Sequence, residues 1–161
     1  MTEQQYNECV HAHADGVFRF IVKNLRHKED AKDVVQTAFE KLWRNRETVD
    51  ASTAKSFLFT IAYNQMIDHT RKAKRTVIQD DFTHLDGTTA QPSAQLKKTL
   101  QLALNQLNET QRSLVMLKDY EGYNYQEIGE IMNLSESQVK VYLHRARTIL
   151  KNFIVKRENV L

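Results

Sequence analysis

The sequence predicts an all-α protein of two small helical domains joined by a flexible linker, on three observations. Four Gly and one Pro in 161 residues leave too few turn residues for a sheet-rich chain. Apolar residues recur at three- and four-residue steps through most of the chain, the spacing of one helical face. The exception is residues 76–95, TVIQDDFTHLDGTTAQPSAQ, with the single Pro and no sustained periodicity, a linker composition. Flanking segments of the size of 1–75 and 96–161 each bury only a modest core, and the linker is expected to let them move relative to one another.

The first helix is expected from Gln4 to Leu25, where Cys9, Val10, Ala14, Val17, Phe18, Ile21, Val22 and Leu25 form a stripe. Gly16 within it marks a close helix contact. A second helix, Glu29 to Arg46, has Glu29, Asp30 and Asp33 at its start and Lys41, Arg44 and Arg46 at its end, matching the helix dipole. Its apolar stripe is Ala31, Val34, Val35, Ala38, Phe39, Leu42 and Trp43. Ser52 or Thr53 is placed to cap a third helix reaching about Lys74. Phe57, Leu58, Phe59, Ile61, Ala62, Tyr63, Met66 and Ile67 cover more than half of that helix, which makes it internal to a bundle.

Beyond the linker, Leu96, Leu100, Ala103, Leu104 and Leu107 resume the periodicity. Asn108 caps a helix running to about Tyr120, and Gly122 stops it. Two further helices, Tyr125 to Met132 and Ser135 to Val155, flank a turn at Asn133 and Leu134. This is the layout of a helix-turn-helix, with Gly129 letting the two helices approach closely. On the second of these helices, Ser137, Lys140, Val141, His144, Arg145, Thr148 and Lys151 lie opposite the apolar arc. Four bases and no acid fall between Lys140 and Lys151, so this face reads as a DNA surface.

The formal net charge of +3 is unevenly placed. Residues 1–75 carry thirteen bases and ten acids, residues 96–161 ten and seven, and residues 76–95 only Asp80, Asp81 and Asp86. One Cys, Cys9, excludes an internal disulfide and fits a reducing compartment. The polar start MTEQQYNECV and the lack of a long apolar run argue against export and membrane insertion, so a cytoplasmic location is expected. Cys9, His11 and His13 do not amount to a metal site, which normally needs four ligands. No phosphate loop, nucleophile elbow or H-E-x-x-H motif is present. Neither enzyme activity nor a cofactor is expected.

Three blocks carry a family resemblance: DAKDVVQTAFEKLW (30–43), AKSFLFTIAYNQMIDHTRKAKR (54–75) and LNETQRSLVMLKDYEGYNYQEIGEIMNLSESQVKVYLHRARTILK (107–151). In their order and spacing the chain resembles a bacterial RNA polymerase sigma factor of the sigma-70 type, in the extracytoplasmic-function (ECF) group. The resemblance implies a dissociable specificity subunit for promoter recognition and transcription initiation, in a stress, nutrient or envelope response. It implies region 2, a three-to-four-helix bundle, at 1–75, and region 4, a four-helix domain, at 96–161.

By the same resemblance, Lys32, Asp33, Val34, Gln36, Phe39 and Glu40 are candidates to dock on the clamp helices of the largest core polymerase subunit. A purely structural role is the better account of Val34, Val35, Ala38 and Leu42. The loop 46–53, including Val49, Asp50, Ala51, Ser52 and Thr53, would accept a flipped base of the minus-10 element, with Lys55, Tyr63, Asn64, Arg71 and Lys72 on the adjoining helix. Phe57 and Phe59 are better explained as core than as stacking platforms. For the minus-35 element, Lys140, Val141, His144 and Arg145 would read bases while Ser137 and Arg147 hold phosphates. Region 4 would also meet the polymerase flap, and an anti-sigma factor is an implied partner. The alternative is a stand-alone helix-turn-helix regulator binding operator DNA; an adaptor that binds only proteins is a third reading.

Overall fold

Helix formation begins at a capping box: Thr2 Oγ1 accepts from the Gln5 amide at 3.1 Å while Gln5 Oε1 accepts from the Thr2 amide at 2.8 Å, satisfying two of the donors a helix start leaves open. In the computed structural model, which describes residues 1–76 and 92–160 apart from the side chains of 73–76, 92–94 and 158–160, this opens α1, Glu3–Leu25. Arg26, in the left-handed region at φ 59°, ends it. Then follow α2 (Lys28–Arg44) and α3 (Ala54–Thr76). His27 Nδ1 caps α2 by accepting from the Asp30 amide at 3.2 Å.

The second half contains α4 (Pro92–Leu104), α5 (Glu109–Val115), α6 (Tyr125–Met132) and α7 (Glu136–Val160). Pro92 occupies the first position of α4, where a missing amide costs nothing. Helix α4 therefore begins inside the segment read as linker. The rest of that segment, 77–91 with its three acids, lies outside the described residues. Asn108, Asn124 and Ser135 each form a capping box with the Gln or Glu three residues on. One feature departs from the expected pattern. The helix after Asn108 leaves α geometry at Met116–Tyr120, which form a π turn, with the Glu121 amide donating to the Met116 carbonyl at 3.0 Å.

Region by region the expected bundles are present: α1, α2 and α3 pack together, and α4 to α7 form the second group. The two groups are joined in one core. Phe20 on α1 meets Phe59 on α3 at 5.7 Å between ring centroids, and Phe59 meets Tyr123, which follows the π turn, edge-on at 5.4 Å. All three are buried. In this conformation the two halves are packed against one another. Each half is too small to cover all of its own apolar surface, and the uncovered parts meet.

Candidate nucleic-acid and polymerase interfaces

The helix-turn-helix is built by close approach. A Cβ added to Gly129 would lie 2.6 Å from the Leu134 carbonyl oxygen, nearer than such atoms come, so only glycine admits the turn at this distance. Asn133 ends α6 in the left-handed region at φ 58°, and the Leu134 amide donates to the Gly129 carbonyl at 2.9 Å. Val139, Leu143 and Ala146 of α7 are buried against this frame. That orientation turns Ser137, Lys140, Val141, His144 and Arg145 outward, all exposed, with Val141 at 46%. Lys140 also sits 3.9 Å from Glu136 and 5.6 Å from the Tyr125 ring centroid, contacts long enough to exchange readily with solvent.

Arg147 differs from the other five. Its Nη2 donates to Asp119 Oδ1 at 2.6 Å, and this bond to the π turn raises its pKa above the usual guanidinium value. Arg147 therefore stands partnered at the edge of the face, its side chain 45% exposed, where a DNA phosphate would compete with Asp119.

On α2, Lys32, Asp33, Gln36 and Glu40 are exposed along one side. Gln36 donates to Glu40 at 3.3 Å, and Lys32 pairs with Glu29 at 3.6 Å. Phe39 is half-buried, its carbonyl accepting from the Tyr6 hydroxyl at 3.0 Å. Val34 is 5% exposed and belongs to the core, in keeping with a structural role beneath this exposed side. Beside this side lies a shallow groove lined by Tyr6, Glu40 and Trp43. Trp43 is fixed there by an edge contact with Tyr6 at 4.8 Å and by the Arg46 guanidinium 3.7 Å above its ring.

The loop before α3 presents Asp50, Ala51, Ser52 and Thr53 to solvent, while Val49 is buried at 7% and anchors the loop. Thr53 does not cap α3 through its hydroxyl, which instead donates to the Asp50 carbonyl at 3.2 Å. Along α3 the candidate residues do not share one surface. At 100° per residue, Asn64 and Arg71 lie about 160–180° around the helix from Lys55, with Tyr63 about midway between. The far side is exposed, as is Lys72. The near side faces the second half: Lys55 Nζ is 4.7 Å from the Tyr123 ring centroid, and burial together with Glu109 raises the Tyr63 pKa. Phe59 is wholly buried and Phe57 half-buried, in line with the core reading.

Comparisons with known proteins identify the family. The family model described as "Sigma-70 region 2" matches residues 9–76, and that described as "Sigma-70, region 4" matches 97–150. Over 150 residues the chain is 31% identical to the ECF RNA polymerase sigma factor SigM of Bacillus subtilis, covering 90% of this chain and 92% of that one. The chain belongs to the ECF sigma factors. It is 28% identical to the RNA polymerase sigma factor SigV of Bacillus subtilis, over 93% of this chain and 91% of that one. It is also 27% identical to the ECF RNA polymerase sigma factor SigE of Mycolicibacterium smegmatis, over 96% of this chain but 63% of that longer one. Two solved structures share the fold. One is the sigma factor RpoE of Bartonella quintana in complex with the anti-sigma factor NepR, with TM-score 0.75, 21% identity, and coverage of 92% of this chain and 96% of that one. The other is CnrH in complex with the cytosolic domain of CnrY, with TM-score 0.72, 20% identity, and coverage of 96% and 90%. Among the described residues no helix is long and apolar enough to cross a membrane.

Residues that position these surfaces escaped the sequence reading. Arg112 is 5% exposed and donates to the carbonyls of Leu104 at 3.1 Å, Leu107 at 2.7 Å and Asn24 at 3.3 Å. Leu104 and Asn24 lie in the last turns of α4 and α1, where the dipole favours a cation, and Leu107 lies in the turn that follows α4. Burial, assisted by Arg26 and opposed by Glu109, lowers its pKa. Asp119, Glu121 and Tyr123 were also missed. Their only signal was a Gly between an acid and an aromatic residue, which fits many loops.

Proposed function

We propose that this ECF sigma factor acts as a dissociable subunit of bacterial RNA polymerase that selects promoters and starts transcription, while the polymerase supplies the chemistry. The outward side of α2, with Lys32, Asp33, Gln36 and Glu40, docks on the clamp helices of the largest subunit, with Phe39 at its margin. The loop 46–53 and α3 engage the minus-10 element, where exposed amides and cations suit a base taken out of its stack. Helix α7 enters the major groove of the minus-35 element through Lys140, Val141, His144 and Arg145. Region 4 contacts the flap as well. Region 2 spans 1–75 and region 4 spans 96–161 in this reading.

The observation that carries it is the exposed basic face of α7 from Lys140 to Lys151 on a helix-turn-helix, within a chain whose other half presents a separate polar docking side on α2. Two distinct surfaces on one small protein suit a bridge between an enzyme and DNA. The protein works in the cytoplasm, in a stress, nutrient or envelope response, and is held in check by an anti-sigma factor, a reading supported by the structural neighbour RpoE, which is complexed with the anti-sigma factor NepR. In vitro transcription with core polymerase on a promoter library tests the proposal. Sequence-selected transcripts that need the chain support it. Failure to co-purify with core polymerase, combined with tight binding of the chain alone to specific duplex DNA, would instead identify a stand-alone regulator.

A further inference from the structure

Lys23 sits where α1 meets α4, and its charge is poorly matched to its surroundings. The side chain is partly buried, and its Nζ donates to Gln101 Oε1 at 3.1 Å. That acceptor is neutral, and its orientation is fixed from behind, since Gln101 Nε2 donates to Asn105 Oδ1 at 3.0 Å. Burial, then the positive charges of Lys97 and Arg19, push the Lys23 pKa below the usual lysine value. The end of α1 is close by, but a helix C-terminus offers only about half a negative charge. The acid beside Arg19 is already engaged: Glu121 Oε2 accepts from Arg19 Nη2 at 2.9 Å and from Nε at 3.2 Å, and the Glu121 side chain is only 7% exposed. Arg19 and Lys23 stand one turn apart on α1, as Lys97 and Gln101 do on α4. The two helices thus bring three cations and a fixed amide to one place.

We propose that Arg19, Lys23 and Lys97 form a seat for a compact anion carrying linked phosphate groups, either inorganic pyrophosphate or the phosphate tail of a nucleotide. The seat uses none of the residues assigned above to polymerase or promoter contacts, so it stands or falls apart from that function. A partly buried ammonium beside two other cations bears both desolvation and repulsion, and an oxyanion placed among them offsets both. Donors remain for it: Lys23 spends one ammonium hydrogen on Gln101, and Arg19 keeps its Nη1 group. Lysine holds phosphate as a point charge and arginine as a fork. Three cations are answered better by linked phosphates than by a single one. The partly buried position of Lys23 suits a phosphate entering end-on; a rigid duplex, with its phosphates on a convex cylinder, would reach Lys97 but not Lys23. Bound there, the anion bridges α1 and α4 and stabilises the folded chain by mass action.

Inorganic pyrophosphate is the first probe, added to the full chain with ionic strength held constant by sodium chloride. Melting followed by circular dichroism should move upward by several degrees at millimolar pyrophosphate. An amine reagent, read by mass spectrometry, should then modify Lys23 and Lys97 several-fold more slowly, with the rates at Lys32 and Lys140 unchanged. Lys23→Gln and Lys97→Gln should each abolish the melting shift. Without pyrophosphate, Lys97→Gln should melt no lower than wild type, because it removes a repulsion at an exposed position; this separates loss of the anion from loss of the fold. Adenosine triphosphate and adenosine distinguish the source: a larger shift with the triphosphate than with pyrophosphate assigns a nucleotide, and an equal shift assigns the phosphates alone, adenosine giving none in either case. The seat is refuted if neither pyrophosphate nor the triphosphate moves the melting curve, if both variants keep the shift, or if Lys32 and Lys140 are slowed as much as Lys23 and Lys97, which would be general screening of charge.

Discussion

Replacing Arg112 by Met removes the charged fork and keeps much of its stem. Three donated bonds vanish, but their values differ. The Leu104 carbonyl retains a second donor, the Leu107 amide at 3.1 Å, so its loss is small. The Leu107 carbonyl loses the shortest bond, at 2.7 Å, and the Asn24 carbonyl loses the longest, at 3.3 Å. A buried acceptor left unpaired costs about 1–3 kcal/mol, and relief of the guanidinium desolvation offsets part of that cost. A net loss of about 3 kcal/mol follows from the two carbonyls taken together. Urea unfolding monitored by circular dichroism should show the midpoint falling accordingly, and Arg112→Lys should recover part of the loss because an ammonium can reach one of the acceptors. If Arg112→Met unfolds at the wild-type midpoint, the side chain is not capping these helix ends and the account given for it is wrong.

Gly129→Ala gains about 1 kcal/mol of helix propensity, yet its methyl group would press on the Leu134 carbonyl; thermal denaturation should show a net loss of about 2 kcal/mol, and no loss would mean that the turn is looser than its geometry. Arg145→Ala or Lys140→Ala should lower minus-35-dependent transcription by about tenfold, the worth of one base contact, with core polymerase binding unchanged; an unaltered holoenzyme footprint on the promoter would remove these residues from the reading face. Burial, then the charge of Lys55, holds His13 below the usual imidazole range, with Glu121 opposing. The unfolded chain therefore binds the proton more readily. The stabilisation is full above about pH 6.5 and is lost as pH falls through the folded-state value. Urea midpoints measured between about pH 8 and pH 5 should decline less steeply in His13→Gln, and equal slopes would refute the assignment.

Much of the candidate site was legible because local rules govern it. The α7 face follows from helical periodicity and from where charge is absent, and Gly129 from the narrow turn it must admit. Val34 and Val49 were harder to place. Their family-derived roles put them at interfaces, but each is apolar and sits where its element turns inward, so burial prevails. Arg147 shows a different limit: a base on a polar face carries no sign of a partner until the fold brings Asp119, 28 residues away, against it. The π turn that carries Asp119 has no sequence signal of its own, since a widened turn trades one hydrogen-bond spacing for another without changing the apolar pattern.

Composition and periodicity by themselves determined an all-α chain, its helices, the helix-turn-helix and the basic face, because each depends on neighbours within a turn or two. Only the tertiary structure decided how the halves meet. Whether Lys55 faces solvent or Tyr123, and whether Glu121 is a surface acid or the buried partner of Arg19, depends on residues about 70 and 100 positions apart coming into contact. The charge that the sequence distributes between two basic halves becomes, in the folded chain, an attraction between an acid of one and a base of the other.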